Sequence, residues 1–297
     1  MRHVIPVSGK DSLCTALVQT ALAPDLEYSF VFSDVGMELP ETYAWLDGVE
    51  RALGIEVDRV GRSMAGMIER WDFIPSARRR YCTAKGKIKP MEDLLAGTPD
   101  DPVTVYYGLR ADEGHRRGPI TGDGFTAAFP LRRLGFGVRD VWAHLGRESE
   151  RRGVDLLPPA YDWPALRAAV ADRVEDPTAG LEPWMERELF AGRSRSNCYL
   201  CFFQRLYEWA WLLDAHPDLY AEAERLETET GRTRQKAFTW NPSWSLADLR
   251  GERDRLVGER ADAVAKRIGD LRQHRLFAAD DTPPELARVS CGLLCGK

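Results

Sequence analysis

The stretch "VIPVSGKDSLCTALVQTAL" (residues 4–22) decides the fold. A short apolar run is followed by small polar residues and then by apolar residues at helical spacing, which predicts a buried strand, a tight loop and a helix. A second β-rich run, "YSFVFSD" (28–34), completes a β-α-β unit. The chain therefore opens as an α/β protein, and the loop after its first strand leads directly into a helix.

The same alternation continues along the first half of the chain. "IEVDRV" (55–60) and "PVTVYYGLR" (102–110) predict further strands, and "LPETYAWLDGVERALG" (39–54) and "KIKPMEDLLAG" (87–97) predict helices. Strands that alternate with helices predict a twisted parallel sheet with helices on both faces, a Rossmann-like α/β fold. Ligands of such sheets bind at the carboxyl ends of the strands.

Beyond about residue 148 the alternation stops. Pro-rich loops, an aromatic helix and charged helices follow, so we predict an α/β domain at 1–148 and a loop-rich, mainly helical C-terminal extension at 149–297.

Composition narrows the class of protein. The chain has 297 residues, 44% of them hydrophobic, and a formal net charge of −5, so it can bury a large core and does not bind polyanions through its overall charge. No run approaches the roughly 18–20 apolar residues of a membrane span, and no signal sequence is recognisable at the start, so we expect a cytoplasmic location without membrane attachment. Six cysteines without a secretory signal favour metal or redox chemistry over disulfides.

The loop "SGKDS" has the chemistry of a phosphate site. Unpaired N–H groups and the positive end of the helix dipole favour an anion at this position. Gly9 lets the backbone approach a phosphate, Lys10 adds a positive charge, and the hydroxyls of Ser8 and Ser12 can donate hydrogen bonds. Asp11 can bind Mg²⁺ or cap the helix. The alternative interpretation is an ordinary polar helix cap.

Further candidates follow the other predicted strands. Asp34 can accept a hydrogen bond from a ribose or adenine group, hold Mg²⁺, or simply supply negative charge to the next helix. Lys87, Lys89 and Arg110 are candidates for phosphate or sulfate contact, against the alternative of a solvated basic surface. The carboxylates in "RADE" (110–113) either bind Mg²⁺ or pair with these cations.

The cysteines fall into two pairs and two single residues. Cys14 lies on the apolar face of the first helix and is predicted to be a buried small hydrophobe. The pair Cys198 and Cys201 is predicted to open a helix, and Cys291 and Cys295 stand near the end of the chain. Four thiolates can hold zinc or a 4Fe-4S cluster. The alternative for the last pair is two free terminal thiols.

These motifs carry a family resemblance. "SGKDS" resembles the PP-loop, S-G-G-x-D-S, of the adenine nucleotide alpha-hydrolase-like superfamily, whose members bind ATP and cleave it between the α and β phosphates; one glycine of that pattern is absent here. Five further segments resemble those of the phosphoadenosine phosphosulfate (PAPS) reductase family and follow its order: "FSDVGMELPETYAW" (32–45), "YCTAKGKIKP" (81–90), "GLRADE" (108–113), "FPLRRLGFGVRDVWAHL" (129–145) and "NCYLCFFQRLYEW" (197–209).

The resemblance spans roughly residues 3–210 and implies an adenine nucleotide alpha-hydrolase-like fold, with 1–148 as the nucleotide-binding domain. It implies ATP or PAPS as ligand, with Mg²⁺. The expected nucleotide-binding residues are Ser8, Gly9, Lys10, Asp11, Ser12, Asp34, Lys89 and Arg110. The expected catalytic residues are Lys10, Asp11, Lys87 and Arg110.

The resemblance also bears on the cysteines. In iron-sulfur members of the family, a cysteine in the segment like 81–90 joins the later C-x-x-C pair around a cluster. Those members usually carry two adjacent cysteines there, whereas Tyr81 takes the first place in this chain. The missing ligand could come from the tail, so the expected metal ligands are drawn from Cys82, Cys198, Cys201, Cys291 and Cys295.

Two activities follow as hypotheses. In the first, the protein is an ATP pyrophosphatase that adenylates a substrate for sulfur transfer, and Lys10 and Asp11 suit a triphosphate with its metal. In the second, it reduces PAPS or adenosine phosphosulfate to sulfite with Cys291 as the nucleophile, because "SCGLLC" (290–295) resembles the E-C-G-L-H ending of sulfonucleotide reductases. Ser290 and Leu294 replace the flanking residues of that ending, which favours metal ligation by the tail cysteines over nucleophilic attack. The first hypothesis is preferred because Lys10 and Asp11 fit a triphosphate with its metal better than a sulfonucleotide.

A non-catalytic nucleotide-binding module is a third, less favoured hypothesis. The resemblance allows a tRNA or DNA substrate, or a sulfur-donor protein, as partner. Four tryptophans could stack on bases, although aromatic residues at helical spacing more often pack in a core: Trp209, Trp211, Trp240 and Trp244.

Overall fold

The computed structural model of the protein describes residues 1–95, 100–118, 124–194, 198–231 and 237–277. These residues form two compact units. The first consists of the described parts of Met1–Arg70, Arg79–Pro159 and Ser196–Cys198, and the second consists of the described parts of Trp71–Arg78, Ala160–Arg195 and Tyr199–Lys297. The functional division at residue 148 stays a prediction.

A parallel sheet forms the centre of the first unit. Within the described residues it has five strands in the order β3-β2-β1-β4-β5, and every neighbouring pair is parallel. The strands are Arg2–Pro6 (β1), Tyr28–Ser33 (β2), Val57–Val60 (β3), Val103–Tyr106 (β4) and Phe125–Ala128 (β5). The predicted parallel sheet is confirmed. Because β1 lies between β2 and β4, the strand order reverses between β1 and β4, where α/β sheets bind ligands.

Twelve α-helices lie in the described residues. They are Lys10–Leu22 (α1), Pro40–Leu53 (α2), Met64–Trp71 (α3), Lys89–Leu95 (α4), Pro130–Arg133 (α5), Val138–Arg152 (α6), Pro164–Ala171 (α7), Pro183–Leu189 (α8), Leu206–Ala215 (α9), Pro217–Glu229 (α10), Leu246–Gly251 (α11) and Arg253–Phe277 (α12). The predicted limits of α2 are confirmed, since Pro40 occupies its first turn and Gly54 ends it in the left-handed conformation at φ 65°.

The helix predicted from residue 87 begins earlier and in a different form. A π-helical segment, Cys82–Ile88, precedes α4 and continues directly into it. Such wider turns are rare in proteins, and those that occur often lie at functional sites. The segment includes Lys87, one of the cations that the sequence analysis named as candidates for phosphate contact.

Both faces of the sheet are covered, as predicted. Successive strand residues point to opposite faces: Ile5 packs in a cluster with Leu13 of α1 and Val141 of α6, whereas Val4 packs in a second cluster with Met91 of α4. This two-sided burial fixes the register of β1 and holds its end, and the loop that follows, in a defined position.

The second unit is helical in the described residues and contains α7 to α12. Trp209, Trp211 and Trp240 are at most 2% exposed, so these side chains pack in the core and cannot stack on bases. Trp244 is half-buried. Among the described helices, none has the length and apolar character that crossing a membrane requires.

Candidate nucleotide-binding site

The loop "SGKDS" runs from the end of β1 into α1 and is held by its own serine. Ser12 Oγ accepts hydrogen bonds from the backbone N–H groups of Ser8 at 2.8 Å and Gly9 at 3.1 Å, and it donates to the Gly9 carbonyl at 2.9 Å. The Leu13 N–H also donates to the Gly9 carbonyl, at 2.9 Å, and closes the first helical turn. The Ser12 hydroxyl, which the sequence assigned to phosphate, therefore organises the loop itself.

Two charged residues open α1. Lys10 Nζ lies 3.5 Å from Asp11 Oδ2 and 5.9 Å from the centre of the Trp142 ring. Asp11 Oδ2 accepts a hydrogen bond from Arg110 Nη1 at 2.7 Å. Asp11 Oδ1 is buried and has no hydrogen-bond partner among the described residues. One oxygen of this carboxylate is thus held by Arg110, and the other makes no hydrogen bond to the described residues.

Arg110, at the end of the segment after β4, is held on several sides by carboxylates. Its side chain is 1% exposed, and besides Asp11 it contacts Asp112, with Nε donating to Oδ1 at 2.9 Å, and Glu113, whose Oε2 lies 3.7 Å from Nη1. Burial alone would lower the pKa of Arg110, but Asp11 and the other two carboxylates hold the pKa above its usual value. Burial would likewise raise the pKa of Glu113, but Arg110 and Arg116 hold it below its usual value.

A close backbone contact brings these two segments together. A Cβ at Gly108 would lie 2.6 Å from the Ser12 nitrogen and 2.8 Å from the Asp11 carbonyl carbon. Only glycine permits this approach, so the segment that follows β4 lies directly against the start of α1. The structure therefore brings together Ser8, Gly9, Lys10, Asp11, Ser12 and Arg110.

Asp34 follows β2, as predicted, and its position is fixed by two donors. Its Oδ1 accepts hydrogen bonds from the Gly36 N–H at 2.7 Å and from the Tyr43 hydroxyl of α2 at 2.7 Å. Burial, followed by the neighbouring Asp34 carboxylate, raises the pKa of Tyr43. Tyr43 therefore stays protonated and donates.

The predicted lysines have carboxylate partners of their own. Lys87, in the π-helical segment, lies 3.2 Å from Glu38 Oε1, and Lys89 lies 2.6 Å from Asp93 one helical turn along α4. Both members of the Lys89 pair are about half exposed, with 51% of each side chain accessible. The structure thus joins Lys87 to a buried acid and leaves Lys89 in a surface ion pair.

Glu38 is the site residue that the sequence analysis missed. Its side chain is 3% exposed, and the Cys198 thiol donates to the same oxygen, Oε1, at 3.4 Å. A buried carboxylate that accepts from a thiol and an ammonium group links three segments that are distant in sequence. The only sequence signal was its place inside "FSDVGMELPETYAW" (32–45).

The cysteines are placed as follows. Cys14 is buried, and burial raises the pKa of its thiol to about 12, which confirms the predicted small hydrophobe. Cys82 and Cys198 are buried and Cys201 is half-buried. The expectation that the C-x-x-C pair opens a helix is wrong, because α9 begins at Leu206 and the pair lies in the preceding turn.

The predicted cluster can be tested only in part. Across the described ranges, no three His, Cys, Asp or Glu residues are grouped so that they could hold a metal ion. Cys291 and Cys295 lie outside the described residues. The described cysteines therefore do not assemble an iron-sulfur or zinc site by themselves, and we derive no chemical step from such a group.

The fold and this geometry define an α/β protein in which the loop between β1 and α1, of a kind that favours anions, lies at the reversal point of a parallel sheet. Residues 2–129 match the family model of the phosphoadenosine phosphosulfate reductase domain, so the resemblance inferred from the motifs is confirmed.

Two individual proteins are similar to parts of the chain. An uncharacterised protein of Methanocaldococcus jannaschii is 32% identical over 110 residues, which cover 37% of this chain and 22% of that protein. The chain therefore matches about a fifth of this relative's length. A crystal structure of PAPS reductase from Candida auris, in complex with phosphate, gives a TM-score of 0.36 at 13% identity, covering 50% of this chain and 73% of that one. The fold rests on the sheet topology and not on this weak likeness.

Proposed function

We propose that the protein is a PP-loop enzyme of the PAPS reductase family that binds ATP with Mg²⁺ and cleaves it between the α and β phosphates. The product of this step is an acceptor molecule that carries AMP and is thereby activated for sulfur transfer. The observation that carries the proposal is Asp11 Oδ1, a buried carboxylate oxygen without a hydrogen-bond partner among the described residues, located at the start of α1.

The residues at this position fit Mg²⁺. The ion prefers oxygen ligands and usually takes one or two carboxylates together with substrate phosphates. Asp11 Oδ1 is available, while Asp11 Oδ2 is engaged by Arg110. When bound, Mg²⁺ would neutralise charge on the phosphates. We assign Asp11 as its protein ligand, with Asp34 as a second candidate.

The chain's own groups would bind and orient the nucleotide. The N–H groups of the first turn of α1 and the Lys10 ammonium supply positive charge for the phosphates. Asp34, held by Tyr43, is available to accept from the ribose or adenine. Lys87, which pairs with Glu38, is proposed to contact the phosphates from the π-helical segment.

In the reaction, an acceptor oxygen forms a bond to the α-phosphorus while the bond from that phosphorus to the bridging oxygen of the β-phosphate breaks. Pyrophosphate leaves, and AMP remains on the acceptor. A hydrosulfide sulfur then bonds to the atom that carried the acceptor oxygen, and AMP leaves together with that oxygen. With a persulfide as donor, the same attack leaves a disulfide on the acceptor, and a second thiol must reduce that disulfide to free the product. The site contributes by positioning the reactants and stabilising negative charge.

The acceptor and the source of sulfur belong to the same proposal. We propose a nucleic acid, tRNA or DNA, as the class of acceptor, and a sulfur-donor protein as the source of sulfur. With Trp209, Trp211 and Trp240 buried, any contact with nucleic acid would use basic residues such as those at 78–80, which are exposed. We also propose residues 1–148 as the nucleotide-binding region.

A second candidate function is reduction of PAPS or adenosine phosphosulfate to sulfite. The description of the matching family model favours it. In that reaction a tail thiolate, Cys291, would attack the sulfate sulfur and release the nucleotide, and a thiol reductant would then free sulfite. The proposal of ATP cleavage is preferred because Lys10 and Asp11 suit a triphosphate with its metal.

The test is release of pyrophosphate from ATP and Mg²⁺ by the anaerobically purified protein, with water as a slow acceptor. Replacing Asp11→Asn should lower the rate at least roughly 100-fold, because the variant lacks the carboxylate that stabilises the metal-phosphate charge. Asp25→Asn, an exposed site in the loop after α1, is the matched control and should keep the rate. Equal rates for D11N and wild type would contradict the proposal.

A further inference from the structure

We propose that Arg110 is a positioning residue: it holds Asp11 in the orientation that offers Asp11 Oδ1 to the cation, and it does not bind the nucleotide phosphates itself. This inference rests on the proposed function, since it concerns the same site. It differs from the role that the sequence suggested for Arg110, which was direct contact with phosphate.

The guanidinium group of Arg110 is already occupied. Nη1 donates to Asp11 Oδ2 at 2.7 Å, Nε donates to Asp112 Oδ1 at 2.9 Å, and Nη2 donates to Asp112 Oδ2 at 3.3 Å. All three nitrogens therefore face carboxylates of the protein. The side chain is 1% exposed, so a phosphate could reach it only by displacing one of these partners.

The same contacts define the orientation of Asp11. Its Oδ2 is bound by Arg110, and the carboxylate plane is thereby fixed relative to the end of β4. Its Oδ1 is buried and has no hydrogen-bond partner in the described part of the chain. A buried carboxylate oxygen in this state is costly unless a ligand compensates it, and a divalent cation such as Mg²⁺, which prefers oxygen ligands, would do so.

The backbone around this pair is equally constrained. Gly108 lies against the backbone of Ser12, and the backbone N–H of Arg110 donates to Glu113 Oε2 at 3.2 Å. Glu113 is held in turn by Arg116 at 2.6 Å. Arg110 is therefore anchored to the segment after β4 and reaches across to α1. Such groups behind a metal ligand set its orientation, and their loss typically lowers metal affinity 10- to 100-fold.

The experiment measures binding of Mn²⁺, as a paramagnetic substitute for Mg²⁺, by electron paramagnetic resonance in the presence of a non-hydrolysable ATP analogue. Arg110→Lys keeps the positive charge. The lysine ammonium, however, lacks the planar set of N–H donors with which the guanidinium group binds two carboxylates at once. We expect Mn²⁺ affinity to fall about 10- to 100-fold in R110K. Affinity for the analogue without metal should stay within about twofold of wild type, because the phosphates do not contact Arg110.

The matched control is Arg59→Lys. Arg59 also lies between two carboxylates, those of Asp47 and Glu50, but on β3 and partly exposed. R59K should bind Mn²⁺ and nucleotide as wild type does.

If R110K does not fold, Asp112→Asn provides a second test, because it weakens the ion pair that holds Arg110 and leaves Asp11 unchanged. D112N should lower Mn²⁺ affinity about tenfold.

Two results would overturn the inference. Mn²⁺ affinity unchanged in R110K and D112N would mean that Arg110 does not orient Asp11. A loss of metal-free nucleotide affinity as large as the loss of Mn²⁺ affinity would mean that Arg110 contacts the phosphates. The proposed function fails by a different result: a wild-type protein that binds Mn²⁺ with the analogue and releases no pyrophosphate from ATP.

Discussion

Arg110 Nη1 and Asp11 Oδ2 are 2.7 Å apart although 99 residues separate them in the chain. The pair joins the end of the β4 segment to the start of α1, across the point where the strand order reverses. The candidate site therefore depends on an ion pair that closes only when the central strands are assembled.

The stability of the protein should reflect this pair. Arg110→Met leaves the Asp11, Asp112 and Glu113 carboxylates without their shared cation, and breaking such a buried network should lower the free energy of unfolding by about 3–5 kcal/mol. The measurement is chemical denaturation followed by circular dichroism. Arg59→Met, which breaks a partly exposed ion pair, should cost about 0.2–1 kcal/mol. Similar losses of unfolding free energy in R110M and R59M would mean that the ion pairs of Arg110 contribute no more than a partly exposed ion pair.

The glycine at position 108 gives a second prediction. Gly108→Ala places a methyl group 2.6 Å from the Ser12 nitrogen, so the strand end or the loop must shift. We expect a loss of about 1–3 kcal/mol in stability and weakened nucleotide binding, measured by denaturation and calorimetry. Gly48→Ala is the control: nothing lies within 4 Å of a Cβ there, and the change within α2 should stabilise the protein by roughly 0.5–1 kcal/mol. Nucleotide binding unchanged in G108A would argue against a site at this contact.

Tyr43 provides a test of the Asp34 position. Tyr43→Phe removes the 2.7 Å hydrogen bond to the Asp34 carboxylate and should lower stability by about 1.5–3 kcal/mol. It should also raise the Kd for ATP about tenfold, which corresponds to 1.4 kcal/mol, because Asp34 is no longer held. Tyr199→Phe, which removes a comparable bond to Glu222, should affect stability alone. Equal Kd values for Y43F and Y199F would remove Asp34 from the site.

The same tyrosine predicts a pH dependence. Burial and the Asp34 carboxylate raise the pKa of Tyr43 above its usual value of about 10. The folded chain then keeps a proton that the unfolded chain loses, so the contribution of Tyr43 is complete below about pH 10 and is lost as the pH rises further. The stability difference between wild type and Y43F should therefore shrink above about pH 10, measured by urea unfolding. A stability difference between wild type and Y43F that stays constant above pH 10 would contradict the raised pKa of Tyr43.

The expected metal ligands can be tested by analysis of iron, zinc and acid-labile sulfide. The family resemblance predicts that anaerobically purified wild type contains a cysteine-bound metal, and that Cys198→Ser and Cys201→Ser each lose it. Cys14→Ala, at a buried apolar site, should retain the wild-type content. Metal content equal in C198S, C201S and wild type would exclude the C-x-x-C pair as ligands.

Much of the fold could be predicted from local patterns. The alternation of strands and helices, the limits of α2 and the position of the loop "SGKDS" before α1 all depend on residues close together in sequence. The strand β5 was not predicted, because four residues, Phe125–Ala128, are too short for a periodic signal. The π-helical segment was not predicted either, since its sequence resembles that of an α-helix.

The contacts within the site were harder to predict than the elements. Residue types at strand ends indicated Asp11 and Arg110 as candidates, but not that Arg110 is buried against Asp11. Glu38 was missed because its partners, Lys87 and Cys198, are 49 and 160 residues away. Pairings at such separations follow from the topology of the sheet and leave no local pattern in one sequence.

The most direct test of the central claim is to give one anaerobic preparation ATP with Mg²⁺ and, in parallel, PAPS with a thiol reductant, and to measure pyrophosphate and sulfite. We expect slow release of pyrophosphate from ATP, abolished in D11N and kept in D25N, with no sulfite from PAPS. Thiol-dependent sulfite without pyrophosphate would contradict the account and identify the protein as a sulfonucleotide reductase.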